Sequence, residues 1–411
     1  MTAAPATAAR PPLPLPRAAP STSTSTSLSR LAFFIFSIIT VSSFIQPVMC
    51  DNGFVNMIYY PNWHAYKGQT PAKMELNLVT HVLYSFIGVN TDGSLQAIDS
   101  HADNDLVVDG SPGALMALAK VKAANPGLKT LISVGGANNS REFPVMAASA
   151  EARTRFAKAI HEFVDKYQFN GVDIDWEHPT DPTMGSNYIA LLEAVRAEMP
   201  AGRYQLTSAL PPAQWTLRNF DGKRAAAVLD YMNLMCYDLT GPWASVSGNH
   251  AQLFASSTLA TKDAELKLAC SDGVEYLTAN GFPSRKIVMG IPVYARTFPS
   301  AKGPGQSPTG SGEMDYSELP QEWVDKASVD ETAIAASYVD PVNGFVTFDT
   351  PRVVTLKANY AKMKKLGGLM YWTGSGDRSG KDSLVQAGWN ALYGKVLGPT
   401  AKAALRSASS V

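Results

Sequence analysis

The chain has 411 residues, with 35 basic and 35 acidic side chains and a formal net charge of +0. Charged residues make up 17% of the chain and hydrophobic residues 45%, which excludes an intrinsically disordered protein. The lack of a basic excess argues against a protein that binds nucleic acid, and 3 cysteines are too few for a small disulfide-stapled domain. The length allows a few ordinary domains or one large α/β barrel with additions.

The amino-terminal residues 1–50 differ in composition from the rest of the chain. Residues 1–49 contain no Asp, Glu or Lys, and the stretch up to Ser29 is rich in Ala, Pro, Ser and Thr, which predicts a disordered leader. Arg30 then precedes an apolar run from Leu31 to Ile45, and this pattern predicts a secretory signal that is cleaved near Cys50. An uncleaved membrane anchor and an organelle transit peptide are the alternatives. We expect a secreted, extracellular protein without stable membrane association after cleavage.

Three smaller features bear on the mature chain. Cys236 and Cys270 would remain after cleavage, either as a disulfide or as buried thiols. Asn138-Asn139-Ser140 is a glycosylation sequon, which gives weak support for secretion. Residues 397–411 are predicted to form a loose tail.

After the leader, short β-branched or aromatic runs alternate with segments that carry apolar residues at helical spacing. The predicted strands are Val55–Tyr60, His81–Phe86, Lys129–Val134, Gly171–Trp176, Gln205–Ala209, Tyr231–Tyr237, Lys286–Tyr294 and Gly368–Trp372. This alternation predicts an α/β fold with a parallel sheet, and about eight such units favour a (β/α)8 TIM barrel. No G-x-G-x-x-G or phosphate-binding loop follows the first strand, which weakens the alternative of a nucleotide-binding open sheet.

The spacing of the predicted strands breaks once, between the seventh and the eighth. Residues 299–313 are rich in Gly, Pro and Ser, and strand-like segments follow at Ala335–Val339 and Gly344–Phe348. The sequence therefore predicts a small α+β insertion at 299–349, beside the carboxyl ends of the barrel strands. The barrel itself is predicted to comprise residues 51–298 and 350–396.

The fourth predicted strand carries Asp173, Asp175 and Glu177 at alternate positions. On a strand such residues share one face, about 6–7 Å apart, while the apolar residues between them take the other. Because the apolar face must pack against helices, the carboxylates should point into the barrel mouth. Their repulsion should raise at least one pKa, as a general acid requires. A solvated acidic face and a divalent-metal site are the alternatives; a metal is disfavoured because no His or Cys cluster lies beside the acids.

With these residues the chain resembles the family 18 glycoside hydrolases, the chitinases. Segment 169–177 is similar to the acidic strand signature of that family, and further segments resemble its third, sixth, seventh and eighth strands. These segments are Leu131–Gly136, with a Ser-x-Gly-Gly pattern, Met235–Asp238, with a Met-x-Tyr-Asp pattern, Gly290–Arg296 and Gly367–Trp372. One such motif would be weak, but all of them in order at barrel spacing are specific.

The resemblance implies hydrolysis of chitin, a β-1,4-linked polymer of N-acetylglucosamine, by a retaining, substrate-assisted mechanism without a metal or organic cofactor. Glu177 would protonate the glycosidic oxygen and later act as the base, while the acetamide oxygen of the substrate attacks the anomeric carbon. Asp175 would orient the acetamide and share a proton with Asp173. Tyr237 would donate to the acetamide oxygen, and Trp372 would lie under the distorted sugar.

A second group of residues is predicted to bind the sugar chain, because flat rings suit the apolar faces of sugars and because the family motifs imply nearby contacts. The candidates are Tyr60, Trp63, Trp243, Met235, Asp238, Tyr294, Arg296, Gly135 and Gly136, with Trp215 as a weaker one. Ordinary loop or core packing is the alternative for the aromatic residues and Met235, and a structural role is the alternative for Arg296.

Two positions depart from the family pattern. The family often has Asp where Asn170 stands. Strand parity places position 170 off the face of the three acids, so we expect the protein to be active, with an altered pH optimum. A Trp often follows the paired glycines, whereas this chain has Ala137, which removes one candidate sugar platform.

Three functions therefore stay open. The first is a secreted, monomeric chitinase that acts on chitin or chitooligosaccharides. The second is a chitin-binding lectin with little hydrolysis, which the intact Glu177 argues against. The third is an endo-β-N-acetylglucosaminidase acting on N-glycans. The full-length loops with Tyr and Trp residues favour chitin over this substrate. Internal cleavage and cleavage from chain ends are equally compatible with the sequence.

Overall fold

A computed structural model describes residues 53–256 and 265–394. The predicted leader at 1–50 and the predicted tail at 397–411 lie outside these ranges, so those predictions rest on the sequence alone. Within the described part of the chain, no helix combines the length and apolar character that crossing a membrane requires.

Eight parallel strands form a closed barrel, which confirms the predicted TIM-barrel fold. They are β1 (Val55–Pro61), β2 (His81–Val89), β3 (Lys129–Gly135), β4 (Gly171–Asp175), β5 (Gln205–Leu210), β6 (Tyr231–Leu234), β7 (Ile287–Pro292) and, after five strands of an insertion, β13 (Gly368–Trp372). Each strand pairs in parallel with the next one, and β1 pairs with both β2 and β13, which closes the ring. The carboxyl ends of all eight strands therefore meet at one rim.

Helices flank the barrel strands. They are α1 (Gly113–Ala124), α2 (Phe143–Ala148), α3 (Ala150–Lys166), α4 (Pro182–Glu198), α5 (Gln214–Leu217), α6 (Gly222–Val228), α7 (Cys270–Ala279), α8 (Gln321–Asp325), α9 (Pro351–Met363) and α10 (Leu384–Tyr393). Several begin where the sequence caps them: Ser149 accepts a hydrogen bond from the Ala152 N–H, and Asp181 accepts one from the Met184 N–H. Such caps satisfy backbone donors that the first helical turn leaves free.

Shorter elements fill the connections. Short 3₁₀ segments are Asn62–Lys67, Pro71–Lys73, Leu76–Leu78, Glu265–Lys267, Ser284–Lys286, Tyr316–Glu318, Gly374–Gly376 and Gly380–Asp382, and His101–Asp105 is a π-helical turn. Two-residue strands are Leu95–Gln96, Val107–Val108 and Ser111–Pro112.

Strand parity divides β1 between two hydrophobic clusters. Met57 and Tyr59 point into the barrel interior, where they pack with residues such as Met370. Ile58 and Tyr60 point outward and join the larger cluster between strands and helices. Tyr60 is 0% exposed and donates its hydroxyl proton to the Gln69 carbonyl, so the prediction that it serves as a sugar platform is wrong.

The insertion between β7 and β13 contains a five-stranded antiparallel sheet. Its strands are β8 (Tyr294–Phe298), β9 (Gly312–Asp315), β10 (Ser328–Asp330), β11 (Ala335–Asp340) and β12 (Gly344–Phe348), in the order β9-β8-β12-β11-β10. Only Val293 separates β7 from β8, so the inserted sheet begins before the predicted boundary at 299. Tyr294 and Arg296, predicted at the end of the seventh barrel strand, therefore lie on the first strand of the insertion.

A disulfide joins Cys236, just after β6, to Cys270 at the start of α7. Both residues are 0% exposed. Of the two alternatives that the sequence left open, the structure contains the disulfide.

Candidate active site

The three acidic residues of the fourth strand form a series that ends at the barrel mouth. Asp173 and Asp175 are 0% and 4% exposed, and Glu177 is half-buried. The β4 ladder ends at Asp175, opposite Gly135, so Glu177 lies on the segment that leaves the strand. The backbone N–H of Glu177 donates to Ser140 Oγ over 2.9 Å, which fixes this segment against the loop after β3.

Asp173 is held from four strands at once. Its Oδ2 accepts from the Tyr59 hydroxyl at 2.9 Å and from Ser133 Oγ at 2.8 Å, and its Oδ1 accepts from Thr207 Oγ1 at 2.6 Å and from Asn233 Nδ2 at 3.2 Å. Burial raises the pKa of Asp173 above its ordinary value, although these hydrogen bonds favour the charged form. The residue is thereby fixed in position beneath Asp175.

Asp175 has no such set of donors. Its Oδ1 is buried and has no hydrogen-bond partner among the described residues. Burial raises the pKa of Asp175 well above its usual range, and the negative charges of Glu177 and Asp173 raise it further. Asp175 therefore holds a proton more readily than an ordinary aspartate, and its Oδ1 has unused accepting capacity.

Glu177 is placed to hold a proton near neutral pH. Burial raises the pKa of its carboxyl to about 7, and the charge of Asp238 also acts in this direction. A carboxyl with this pKa can both donate and accept a proton at neutral pH, which is the property required of a general acid and base. The sequence-based expectation of a raised pKa agrees with this environment.

Tyr237 lies on the segment that follows β6. It is 8% exposed, packs with the interior cluster, and places its hydroxyl 3.8 Å from Met370 Sδ. Burial raises the pKa of the hydroxyl well above its usual range, so Tyr237 remains a proton donor over the whole physiological range. Met235, two residues earlier, packs against the same cluster and is half-buried.

An aromatic cluster forms one side of the mouth. The Trp372 ring at the end of β13 lies 5.5 Å from the Phe86 ring with an interplanar angle of 22°, and 5.5 Å from the Tyr59 ring. Trp63, from the loop after β1, is 6.2 Å from Trp372 and 42% exposed. Trp372 and Trp63 together thus offer adjacent apolar surfaces at the rim.

Polar and charged side chains of the insertion contact Asp238, which follows β6 at the mouth of the barrel. Asp238 Oδ1 accepts from the Tyr294 hydroxyl at 2.6 Å and from Arg296 Nε at 2.8 Å, and Arg296 Nη1 lies 3.2 Å from Glu313. The Arg296 guanidinium also lies 5.3 Å from the ring centre of Trp243, which is 57% exposed. Residues predicted on separate strands, Asp238, Tyr294 and Arg296, are thus brought together.

The paired glycines have a backbone role that differs from the predicted contact with substrate. Both are buried and have positive φ, 114° at Gly135 and 84° at Gly136. A Cβ on Gly135 would lie 2.2 Å from the Asp175 carbonyl oxygen, and one on Gly136 would lie 2.6 Å from the Phe86 ring. Glycine is required here so that the chain can pass close to Asp175 and Phe86.

Sequence reasoning did not select Tyr59, Ser133, Thr207 or Asn233, although all four hold Asp173. Strand parity was the signal that could have found Tyr59 and Ser133, because they face the barrel interior from β1 and β3. Asn170, directly before β4, accepts a hydrogen bond from the Thr130 N–H of β3.

Trp215, the weaker of the predicted aromatic candidates, contacts His178, which the sequence analysis did not select. Their rings lie 5.0 Å apart, and His178 directly follows Glu177, so Trp215 lies beside the acid. Trp215 is 52% exposed. Within the described part of the chain, no group of three or more His, Cys, Asp or Glu side chains could hold a metal ion.

Comparison with known proteins assigns this arrangement to a family. The model of the glycosyl hydrolases family 18 matches residues 55–377. The chain belongs to this family. It is 33% identical to Endochitinase 1 of Metarhizium robertsii over 369 residues, 83% of this chain and 86% of that protein. It is also 33% identical to Chitinase 1 of Aphanocladium album, with the same coverage.

Solved structures of the family have the same fold. The Group IV chitinase of Ostrinia furnacalis superimposes with a TM-score of 0.74 and 28% identity, covering 82% of this chain and 99% of that one. A second structure of that chitinase contains allosamidin. The protein is therefore a glycoside hydrolase with a family 18 barrel, as the sequence motifs implied.

Proposed function

We propose that this glycoside hydrolase is a secreted chitinase that cleaves β-1,4 bonds between N-acetylglucosamine units by a retaining, substrate-assisted mechanism. The observation that carries the proposal is Glu177, whose carboxyl has a pKa of about 7 and lies directly after two buried aspartates at the mouth of the barrel. The chitinase names of the relatives support the substrate class.

In the first step Glu177 donates its proton to the glycosidic oxygen as the bond from that oxygen to the anomeric carbon breaks. The acetamide oxygen of the same sugar forms the new bond to that carbon, which gives an oxazolinium cation. The unpartnered Oδ1 of Asp175 can accept from the acetamide N–H, and the Tyr237 hydroxyl can donate to the acetamide oxygen. Trp372 supplies the apolar surface under the distorted ring.

In the second step the ionised Glu177 takes a proton from water, and the water oxygen bonds to the anomeric carbon as the acetamide oxygen leaves. The configuration is retained because both displacements invert it. Asp175 and Asp173 place negative charge or oriented dipoles next to the cation, which stabilises it without rearrangement during the reaction. None of these steps requires a metal or an organic cofactor.

Further contacts with the chain of sugars are proposed for side chains around the mouth. Trp63, Trp243 and Trp215 offer exposed rings, and Asp238, Tyr294, Arg296 and Met235 lie beside Tyr237. All hydrogen bonds that the described residues donate to Asp238 end on Oδ1, so Oδ2 is the oxygen able to accept from a sugar hydroxyl. Chitin and chitooligosaccharides are the proposed ligands of a monomeric enzyme.

The function can be tested with colloidal chitin and defined chitin oligomers. The wild-type protein is expected to release soluble oligosaccharides, and a time course of products distinguishes internal cleavage from cleavage at chain ends. In Glu177→Gln turnover should fall by about 10²- to 10⁴-fold, the contribution typical of a general acid and base, while affinity for the oligomers is retained. Unchanged turnover in this variant would refute the assignment of the acid.

Two alternatives give different results in the same experiment. A chitin-binding lectin would bind colloidal chitin without releasing soluble product. An endo-β-N-acetylglucosaminidase would release N-glycans from a glycoprotein and leave chitin oligomers intact. The intact Glu177 with its raised pKa favours the hydrolase over the lectin.

A further inference from the structure

His250 is a buried histidine that the proposed mechanism does not use. It lies on the segment after β6, is 0% exposed, and has no hydrogen-bond partner at either ring nitrogen among the described residues. Its Nδ1 is 3.8 Å from Asp238 Oδ1, and its ring lies 5.0 Å from that of Tyr294. A buried imidazole with unused nitrogens is costly, which makes its position directly behind Asp238 notable.

Charged groups face His250 from the barrel and from the insertion. Asp238 is paired with Arg296 over 2.7 Å on the one side. On the other side Asp349 is paired with Lys357 over 2.6 Å, and the Lys357 ammonium also donates to the carbonyl of Ala251, the residue after His250. Both carboxylates favour a proton on His250, whereas burial and the Arg296 charge oppose it. Burial has the largest effect, so the pKa of His250 is lowered and the imidazole is neutral at neutral pH.

The charge of His250 matters because Asp238 acts on the reacting groups. The negative charge of Asp238 contributes to the raised pKa of Glu177. Negative charge at this place also favours the cationic intermediate of the proposed mechanism. A proton on the fully buried His250 ring would put a positive charge 3.8 Å from Asp238 Oδ1 and would offset part of the negative charge of Asp238.

We propose that His250 is a pH-sensitive positioning residue: it is neutral in the active enzyme, and when it takes up a proton it offsets the charge of Asp238 and lowers turnover. His250 would thereby set the acid limit of activity, while Glu177 sets the alkaline limit. This inference rests on the proposed hydrolase mechanism.

The test is the pH dependence of kcat/KM for a chitin oligomer in His250→Asn. Asparagine cannot be protonated, so the acid limb is expected to move to lower pH by about one unit, the size of effect that one nearby charge produces, while the alkaline limb stays in place. His81→Asn is the matched control, because His81 is also buried but lies at the start of β2, at the other end of the barrel. The control should leave both limbs unchanged.

The outcomes separate this inference from the proposed function. A wild-type protein that releases no product at any pH would overturn the chitinase proposal. A folded, active His250→Asn whose acid limb coincides with that of the wild type would overturn the role of His250 alone. A uniform loss of kcat with an unmoved acid limb would show a merely structural role and would equally overturn it.

A spectroscopic measurement decides the case if His250→Asn does not fold. In wild-type protein with isotope-labelled histidine, the His250 signal should titrate at the same pH as the acid limb of kcat/KM. Its midpoint should fall further in Asp238→Asn, because the carboxylate that favours the imidazolium is removed. A His250 signal that does not change across the acid limb would overturn the proposal.

Discussion

At the scale of single residues, the environment of Glu177 decides its chemistry. An ordinary glutamic acid is ionised at neutral pH. Here burial and the nearby charge of Asp238 raise the pKa of Glu177 to about 7, while burial and the charges of Glu177 and Asp173 raise the pKa of Asp175 well above its usual range. One strand thus provides two carboxyl groups for different tasks, because Asp175 lies deeper in the barrel than Glu177.

The alkaline limb of activity follows from this pKa. The proposed mechanism requires protonated Glu177, so kcat/KM should fall as the pH rises through about 7. Asp238→Asn removes a charge that favours the protonated form, so the limb should move to lower pH. A shift of half a pH unit would lower activity above pH 8 by about threefold, since each unit changes the protonated fraction tenfold. Parallel pH profiles of the variant and the wild type measure this, and coincident alkaline limbs would contradict it.

At the scale of elements, the side chains proposed to be catalytic lie at or just beyond the carboxyl ends of parallel strands. Glu177 follows β4, Tyr237 follows β6 and Trp372 ends β13. A segment that follows a strand no longer has the backbone hydrogen bonds to neighbouring strands, so other contacts must fix its position. Ser140 fixes the Glu177 segment through a hydrogen bond, and the disulfide of Cys236 fixes the Tyr237 segment to α7.

Removal of the disulfide tests this second contact. The bond closes a segment with a sequence separation of 34, and its loss in Cys236→Ala/Cys270→Ala should lower the free energy of unfolding by about 2–4 kcal/mol. Because Cys236 precedes Tyr237, turnover should fall as well. Urea unfolding and kcat are the measurements, with reduced wild-type protein as the control. A variant as stable as the oxidised wild type would show that α7 is held by packing alone.

At the scale of the whole molecule, the insertion is tied to the barrel by a buried ion pair. Asp349, directly after the last insertion strand, is 1% exposed, and Lys357 on α9 is 0% exposed. The Lys357 ammonium also binds the carbonyl of Ala251. One cation therefore joins the end of the insertion, a barrel helix and the loop that carries His250, so the position of the insertion depends on it.

Replacing one partner of the Asp349–Lys357 pair should lower the free energy of unfolding more than replacing both. In Lys357→Met the Asp349 carboxylate is left buried without its cation, and the free energy of unfolding should fall by about 3–5 kcal/mol. The double variant Lys357→Met/Asp349→Leu should lose less, because no charge is left uncompensated. Urea unfolding of the wild type, the single and the double variant measures this. A double variant less stable than the single one would contradict the explanation.

The sequence by itself determined the strand–helix alternation and the position of the acids, because both depend on local periodicity. Parity along β4 predicted that Asp173, Asp175 and Glu177 share one face; in the structure Asp173 and Asp175 lie on β4, and Glu177 lies on the segment that follows it. The disulfide was left open, since spacing in the sequence does not show whether two cysteines meet in space.

Only the tertiary structure decided which residues from different strands meet. Tyr60 was selected and Tyr59 was not; strand parity shows that the two tyrosines face opposite sides of β1, and the packing of the barrel shows that Tyr59 faces the interior. The donors to Asp173 come from β1, β3, β5 and β6, and Asp238 meets Arg296 across the start of the insertion. Such contacts depend on how the barrel closes and where the chain leaves it, and no local pattern along the sequence contains that information.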